Sequence, residues 1–168
     1  MTTTHNKRKE FETMSTRGAV GFRYNGVDKI AYNHSDSYPS GLGQDLIIYL
    51  EGKTIEELKN ICDEITVTNI EDDDCPFYPE TGFARSFEDY QSFLKNSLFC
   101  EYAYIINLDN GTLEFYKGWN TNPKAKGRYA QFYAYDDDKR YCGVRLVKTI
   151  RLKKLFDGNV RIENDCFV

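Results

Sequence analysis

The chain has 168 residues, a formal net charge of −4 and an ordinary hydrophobic fraction of 40%. That length fits one domain, which buries enough surface to fold without a metal or disulfides. No apolar run approaches the roughly 18 residues of a transmembrane helix, and the polar N-terminus lacks the apolar core of a secretory signal. We therefore expect a cytoplasmic protein without a membrane partner. Its modest negative charge argues against a nucleic-acid partner.

Residues 1–13 are polar and charged, which predicts a flexible leader before a single domain over residues 14–168. The clearest element is a hairpin that joins residues 19–24 to residues 27–33 through Asn25-Gly26, a dipeptide that tolerates the positive φ angles of a two-residue turn. The loop that follows, residues 35–43, contains Pro39, Gly41 and Gly43 and is predicted to be a shaped turn.

Three helices are predicted in the first two thirds of the chain. Residues 44–50 form a short helix that stops at Gly52. Thr54 to Glu57 is a capping box that begins a second helix, with Ile55, Leu58, Ile61 and Cys62 on one face. Ser86 is predicted to cap a third helix that buries Phe87, Tyr90, Phe93 and Leu94.

The remaining segments favour β-structure. Residues 66–70 are predicted to be a short strand, and residues 71–82 an acidic loop. A second hairpin joins residues 102–107 to residues 112–117, and aromatic, β-like segments follow at 128–135 and 141–150 before a short C-terminal tail. The predicted fold class is α+β: antiparallel β-hairpins form a sheet, or alternatively a sandwich, packed with two to four short helices.

Charge is unevenly distributed along the chain. Residues 55–101 contain twelve acidic and three basic side chains, whereas residues 139–154 contain seven basic ones and no acidic one. Such asymmetry can steer an anionic partner to one end of the protein. The basic segment Lys139–Lys154 can equally be the solvated face of a terminal element, so its role stays open.

Metal, cofactor and cysteine chemistry are not indicated. The five cysteines form no CxxC pair, which argues against a disulfide framework and a zinc ribbon and favours free, mostly buried thiols. Cys75 follows a run of carboxylates that disfavour its thiolate. His34 is the only imidazole outside the leader, and the acidic runs at 71–74 and 136–138 lack calcium-loop spacing. We expect no metal site and no cofactor.

The candidate functional site lies between residues 16 and 43. His34 and Asp36 are two residues apart, so an extended strand would place both on one side. Arg17 precedes the first strand, at the same end of the hairpin. His34 could act as a general base oriented by Asp36, and Arg17 with Tyr38 suits a phosphate or carboxylate. The candidate ligand-binding residues are Thr16, Arg17, Asn33, His34, Asp36 and Tyr38. The alternative is loop architecture alone, with Asp36 bonding backbone N–H groups or pairing with Arg17.

The segment Thr16-Arg17-Gly18, followed by the run Tyr32-Asn33-His34-Ser35-Asp36-Ser37-Tyr38-Pro39-Ser40-Gly41-Leu42-Gly43, resembles a group of uncharacterised bacterial and phage proteins. They share a "TRG" segment and a "YxHxD(S/G)YP" segment. Residues 104–109, 113–118 and 143–147 also look like that group. The resemblance implies a site and a phage association, without a reaction.

A weaker resemblance is to N-terminal-nucleophile hydrolases, which also begin with a strand and an immediate hairpin and carry hairpins similar to residues 104–117. That resemblance implies that loss of Met14 would expose Ser15 as a nucleophile, with its own α-amine as base and Arg17 near a substrate carboxylate.

Three functions follow from these observations. The first is a binding module in which Arg17, His34, Asp36 and Tyr38 hold a small anionic or nucleotide-like ligand, with immune evasion as a role. The second is a small hydrolase or transferase that uses His34 and Asp36, or Ser15. The third is a protein–protein inhibitor of a host enzyme, which would dock through the acidic loop from Asp72 to Glu80 or through the aromatic surface. The oligomeric state is not indicated.

Overall fold

The computed structural model describes residues 15–69 and 76–168. Its strands are β1 (Gly18–Tyr24), β2 (Val27–Asn33), β3 (Thr66–Thr68), β4 (Phe77–Tyr78), β5 (Gly82–Phe83), β6 (Ser86–Glu88), β7 (Tyr102–Asn107), β8 (Thr112–Lys117), β9 (Arg145–Arg151), β10 (Ile162–Glu163) and β11 (Cys166–Phe167). Its α-helices are α1 (Gln44–Leu50), α2 (Ile55–Glu64) and α3 (Leu152–Phe156). A π-helical turn spans Pro39–Gly43, and a 3-10 helix spans Gln91–Lys95.

The central element is a five-stranded sheet with the order β2-β1-β7-β8-β9. The two predicted hairpins, β1–β2 and β7–β8, are confirmed, with antiparallel pairing in both. They are joined by parallel pairing of β1 with β7, so the sheet is mixed rather than wholly antiparallel. The predicted α+β class is confirmed, and the described strands form one large sheet flanked by two-stranded pairs rather than a sandwich of two large sheets.

Both faces of the sheet are covered, which explains the uninterrupted apolar run at the start of β1. One face packs against the α-helices and the C-terminal hairpin, and its core includes Phe22, Leu46, Leu58, Tyr104, Leu113, Leu155 and Phe167. The other face is covered by the 3-10 helix and the segments around residues 129 and 144, and its core includes Ile30, Leu94, Ile105, Tyr116, Tyr129 and Val144.

The predicted turn chemistry is present at the first hairpin. Asn25 and Gly26 have φ angles of 52° and 74°, the left-handed values that this turn requires. Both main-chain N–H groups donate to the Asp109 carboxylate, at 2.7 and 2.9 Å. The turn between β1 and β2 is therefore tied to the turn between β7 and β8.

The first two helices form as predicted. Thr54 and Glu57 make both bonds of the capping box: the Thr54 N–H donates to Glu57 Oε2 at 2.7 Å, and the Glu57 N–H donates to Thr54 Oγ1 at 3.2 Å. In α2, Leu58 and Cys62 are buried. Gly52 follows α1 with a φ of 76°, a conformation that costs glycine little.

The helix predicted from Ser86 is wrong. Residues Ser86–Glu88 form β6, which pairs in parallel with β3. The 3-10 helix begins later, after Asp89, whose Oδ1 accepts the Gln91 N–H at 2.9 Å. Phe87 and Leu94 could not share a helix face, because they pack into the two cores on opposite faces of the sheet.

Three further predictions need correction. Residues 128–135 are not a strand and make a single β-bridge, from Tyr133 to Cys142, and the following strand begins only at Arg145. The C-terminal tail folds as α3 and a two-stranded hairpin. The loop predicted over residues 71–82 contains the short β4–β5 hairpin. The predicted leader at 1–13, the acidic run at 71–74 and Cys75 lie outside the described residues.

The described cysteines are free thiols. Cys62, Cys100 and Cys142 are buried, and Cys166 is exposed. Burial raises the pKa of the Cys62 thiol to about 11, which keeps it protonated at neutral pH. Within residues 15–69 and 76–168, no helix is both long and apolar enough to cross a membrane.

Candidate functional site

One end of the sheet gathers the segments that carry the candidate residues. The register places Gly18, at the start of β1, opposite Asn33 at the end of β2 and Tyr102 at the start of β7. Tyr102 in turn lies opposite Lys117 at the end of β8. The residues that flank these strand ends therefore lie at one common end of the sheet. They include Arg17, which precedes β1, and Trp119, which follows β8.

The loop after β2 is held in place by Ser37, which is fully buried. Its N–H donates to the Thr16 carbonyl at 3.2 Å, and its carbonyl accepts the Tyr104 hydroxyl at 2.8 Å. The Asn33 side-chain amide donates to Ser37 Oγ at 2.8 Å. Thr16 and Asn33, both predicted to bind ligand, thus have positioning roles. Sequence reasoning missed Ser37 and Tyr104, whose pairing spans distant segments.

Two glycines of the sequence motif are explained by close approach of backbone. A Cβ on Gly18 would lie 2.5 Å from the Tyr102 carbonyl oxygen and 2.6 Å from the Ser37 Cβ. A Cβ on Gly41 would collide with the Asp36 carbonyl oxygen, which accepts the Leu42 N–H at 2.8 Å. Much of the motif therefore builds the loop.

His34 and Asp36 are not hydrogen-bonded to each other. Strand β2 ends at Asn33, and Asp36 has a φ of 53°, so the extended geometry that would align the pair is absent. The Tyr32 hydroxyl lies 3.0 Å from His34 Nδ1, and the Tyr38 hydroxyl donates to Asp36 Oδ1 at 3.1 Å. Each predicted catalytic residue thus has a tyrosine as its partner, and both are solvent-exposed.

Arg17 presents its guanidinium at the same sheet end. Its main-chain N–H donates to Glu101 Oε2 at 2.8 Å, while its guanidinium carbon lies 5.8 Å from the centre of the Phe99 ring. Among the described residues, no carboxylate forms an ion pair with this guanidinium. Burial raises the pKa of Tyr32, and the positive charge of Arg17 partly offsets that rise. We refer to Arg17, Tyr32, His34 and Phe99 as the Arg17 cluster.

Asp36 and Tyr38 lie in a more acidic environment. The hydrogen bond to Asp36 and the charges of Asp36 and Asp165 raise the pKa of Tyr38. Partial burial and the charges of Glu80 and Asp36 raise the pKa of Asp45. Asp36 and Tyr38 thus form a pair that lies near further carboxylates, separate from the Tyr32–His34 pair.

Aromatic rings surround the Arg17 cluster. Tyr32 stacks on Tyr90 with ring centres 5.0 Å apart, and Phe93 meets it edge-on at 5.4 Å. Phe99 is 42% exposed and Trp119 is 55% exposed. Sequence reasoning missed Phe99, because its approach to Arg17 depends on the parallel pairing of β1 with β7, which no local pattern indicates.

Residues 15–69 and 76–168 hold no group of three side chains that could bind a metal ion. Comparisons of the chain with protein-family models, with curated proteins and with solved structures found no match.

Proposed function

We propose that this protein binds a small anionic ligand of the nucleotide class at the Arg17 cluster. The observation that supports it is the Arg17 guanidinium, which has no ion-pair partner among the described residues and lies against the partly exposed ring of Phe99. An arginine without an ion-pair partner is suited to a phosphate, because its planar fork makes paired hydrogen bonds to two oxygens.

The aromatic rings favour a nucleotide over a simple anion. Phe99 offers a flat apolar surface on which a base can stack, and such stacking contributes about 1–3 kcal/mol per base. His34 offers Nε2 as a further hydrogen-bonding group, since its Nδ1 faces Tyr32. Asp36, and Tyr38 whose hydroxyl proton is donated to Asp36, would accept hydrogen bonds from ligand hydroxyl groups.

The first prediction is that ADP binds the full chain and that Arg17→Gln weakens this binding by at least about tenfold, the effect of losing one charge-assisted contact. Calorimetric titration measures the affinity, and ADP should raise the melting temperature of the wild-type protein by mass action. Pyrophosphate should bind more weakly than ADP, because it lacks a base to stack on Phe99.

The matched control is Arg140→Gln, which removes an arginine whose side chain is 75% exposed. It should leave ADP affinity unchanged. Equal losses in the two variants would indicate attraction by overall charge rather than a site. No binding of ADP or pyrophosphate to the wild-type protein would contradict the proposal.

The hydrolase or transferase alternative is separated by the fate of the ligand. A binding module returns ADP unchanged, which suits sequestration of a host signal, the role expected from the resemblance to phage proteins. An enzyme releases a product, and its turnover disappears in His34→Ala. The N-terminal-nucleophile form of the alternative requires cleavage before Ser15, which intact-mass measurement detects directly.

One observation favours the third candidate, a protein partner. Leu98, Phe99 and Trp119 are exposed apolar side chains, and the Trp119 N–H donates to the Ser97 carbonyl at 2.7 Å, so they belong to adjoining backbone. A partner docked there would cover Phe99 and would be displaced by ADP.

A further inference from the structure

A second feature lies away from the Arg17 cluster, along the outer strand β9. There the sheet edge, α3 and the C-terminal hairpin border a groove of about 410 Å³. The groove is lined by Lys148, Thr149, Ile150, Arg151, Lys154, Asn159, Val160, Phe167 and Val168. Three of these side chains are basic and none is acidic. Part of the basic segment 139–154 therefore lines this groove.

The basic side chains of the groove differ from the other cations nearby. Lys153 pairs with Asp157 at 3.1 Å, and Arg161 pairs with Glu163. Neither Lys153 nor Arg161 lines the groove. In contrast, Arg151 and Lys154 form no ion pair with any described residue. Asp157 and Glu163 therefore pair with cations outside the groove, and no acidic side chain lines the groove itself.

One ammonium group is fixed in position. Lys148 Nζ donates to the Phe167 carbonyl at 2.6 Å, which holds its charge at the wall of the groove. The same wall has an apolar base, since Ile150 is 6% exposed and Phe167 is 3% exposed. Val160, partly buried beside them, extends this apolar surface. The groove therefore combines basic side chains with an apolar floor formed by Ile150, Val160 and Phe167.

We propose that this groove binds a phosphate-bearing molecule with an apolar portion. Arg151, Lys154 and the fixed Lys148 would hold the phosphate. Val160 and the half-exposed Val168, backed by the buried Ile150 and Phe167, would contact the apolar part. A groove of about 410 Å³ lies within the size range of small-molecule sites. Three cationic side chains and no acidic one line this groove, so a bound anion would be attracted to it.

The ligand can be a soluble phosphomonoester or the head of an anionic lipid, and both offer the same chemistry to the groove. The test uses 1-naphthyl phosphate, inorganic phosphate, and phosphatidylcholine vesicles with and without phosphatidic acid. All measurements are made on the full chain carrying Arg17→Gln, so that the Arg17 cluster does not contribute and failure of the first proposal leaves this one testable.

We expect 1-naphthyl phosphate to bind about tenfold more tightly than inorganic phosphate, because its ring buries apolar area against the floor. Lys154→Gln should weaken naphthyl phosphate binding by about tenfold. The matched control is Lys153→Gln, a neighbour in the same helix that pairs with Asp157 outside the groove, and it should have little effect. Circular dichroism checks that both variants are folded.

Binding of the soluble phosphate, or cosedimentation with phosphatidic acid vesicles, that is lost in Lys154→Gln and kept in Lys153→Gln supports the groove and identifies the source of the ligand. Equal losses in the two variants, or equal affinity for naphthyl and inorganic phosphate, would overturn the proposal, because either result shows charge attraction without a site. Absence of binding to all probes would also overturn it.

Discussion

Single residues of the sequence motif divide into those that build the loop and those that remain available at its surface. Gly18, Ser37 and Gly41 are explained by packing and backbone approach, whereas the Arg17 guanidinium forms no ion pair with a described residue and His34 is exposed. A sequence motif can therefore be larger than the binding site that it contains. The candidate binding surface consists of the motif residues that do not build the loop, such as Arg17 and His34.

Gly18→Ala tests this division. Its Cβ would lie 2.5 Å from the Tyr102 carbonyl oxygen and 2.6 Å from the Ser37 Cβ, so the junction of β1 with the loop must shift. We expect a loss of about 2–3 kcal/mol in the free energy of unfolding, measured with urea, in the range for overpacked sites. Ser35→Ala, at an exposed position of the same loop, should cost little. Equal stability of Gly18→Ala and wild type would show that the junction is not close-packed.

Local residue chemistry was predictable from sequence, and distant pairing was not. The Asn25-Gly26 turn depends on two neighbouring residues, and the structure confirms it. The partners of His34 and Asp36 could not be predicted, because they depend on where β2 ends and on the left-handed conformation of Asp36. Spacing by two residues indicates a shared face only while the strand continues.

At the scale of elements, the contrast between local chemistry and distant pairing explains why α2 could be predicted and β6 could not. The capping box of α2 lies within four consecutive residues, so its start could be predicted. Ser86 also has the residue type of a helix cap, but its segment pairs with β3, which is remote in sequence. Tertiary pairing overrides local preference for such short segments. The apolar spacing at Phe87 and Leu94 reflects two separate cores rather than one helix face.

Thr54→Ala should remove one half of the capping box and leave the Glu57 N–H without its side-chain partner. We expect a loss of about 1 kcal/mol in the free energy of unfolding, the usual cost of losing such a cap. Thr54→Ser keeps the hydroxyl and should retain most of the stability. The measurement is the urea midpoint at unchanged slope, which reports stability rather than a change in compactness. A Thr54→Ser variant as unstable as Thr54→Ala would argue against the hydroxyl as the cause.

At the scale of the whole molecule, the parallel pairing of β1 with β7 brings together two hairpins that are far apart in sequence. It places the Arg17 N–H 2.8 Å from a carboxylate oxygen of Glu101, 84 residues away. Hydrophobic patterning predicted both hairpins but contained no information on this pairing. The Arg17 cluster is therefore a product of topology, and sequence could identify only the half that lies between residues 16 and 43.

A buried polar network on the second face of the sheet joins β2, β7 and β8 to the segment at residue 128. Arg128 donates to Glu114 at 2.8 Å, and Glu114 also accepts bonds from Asn107 at 2.9 Å and from Tyr116 at 2.8 Å. The Glu114 side chain is 7% exposed. Three segments, namely β7, β8 and the segment at residue 128, thus depend on one carboxylate, and the Arg128 partner is not indicated by any local pattern.

This network extends to a second carboxylate. The Tyr129 hydroxyl donates to Asp28 at 2.7 Å, and Arg23 pairs with Asp28 at 2.9 Å. The nearest Arg128 nitrogen is 4.0 Å from Asp28, and Arg128 Nε is buried without a partner. Arg128 therefore relies mainly on Glu114 to offset its burial.

The pH dependence of stability tests that reliance. Burial alone would raise the pKa of Glu114, but the hydrogen bonds from Arg128, Asn107 and Tyr116 hold it below its ordinary value. A carboxyl whose pKa is lowered by folding stabilises the protein above its unfolded pKa, and that contribution disappears as pH falls through the folded pKa.

Glu114→Gln should thus lower the free energy of unfolding at pH 7 by about 2–3 kcal/mol, since Arg128 loses its charged partner. The difference from wild type should shrink below about pH 4.5, where the unfolded-state carboxyl becomes protonated. Urea unfolding at several pH values measures it, and Glu56→Gln, at a side chain 79% exposed, is the control. A difference that stays constant from pH 7 into the acid range would show that shape or hydrogen bonding at residue 114, rather than its charge, stabilises the sheet.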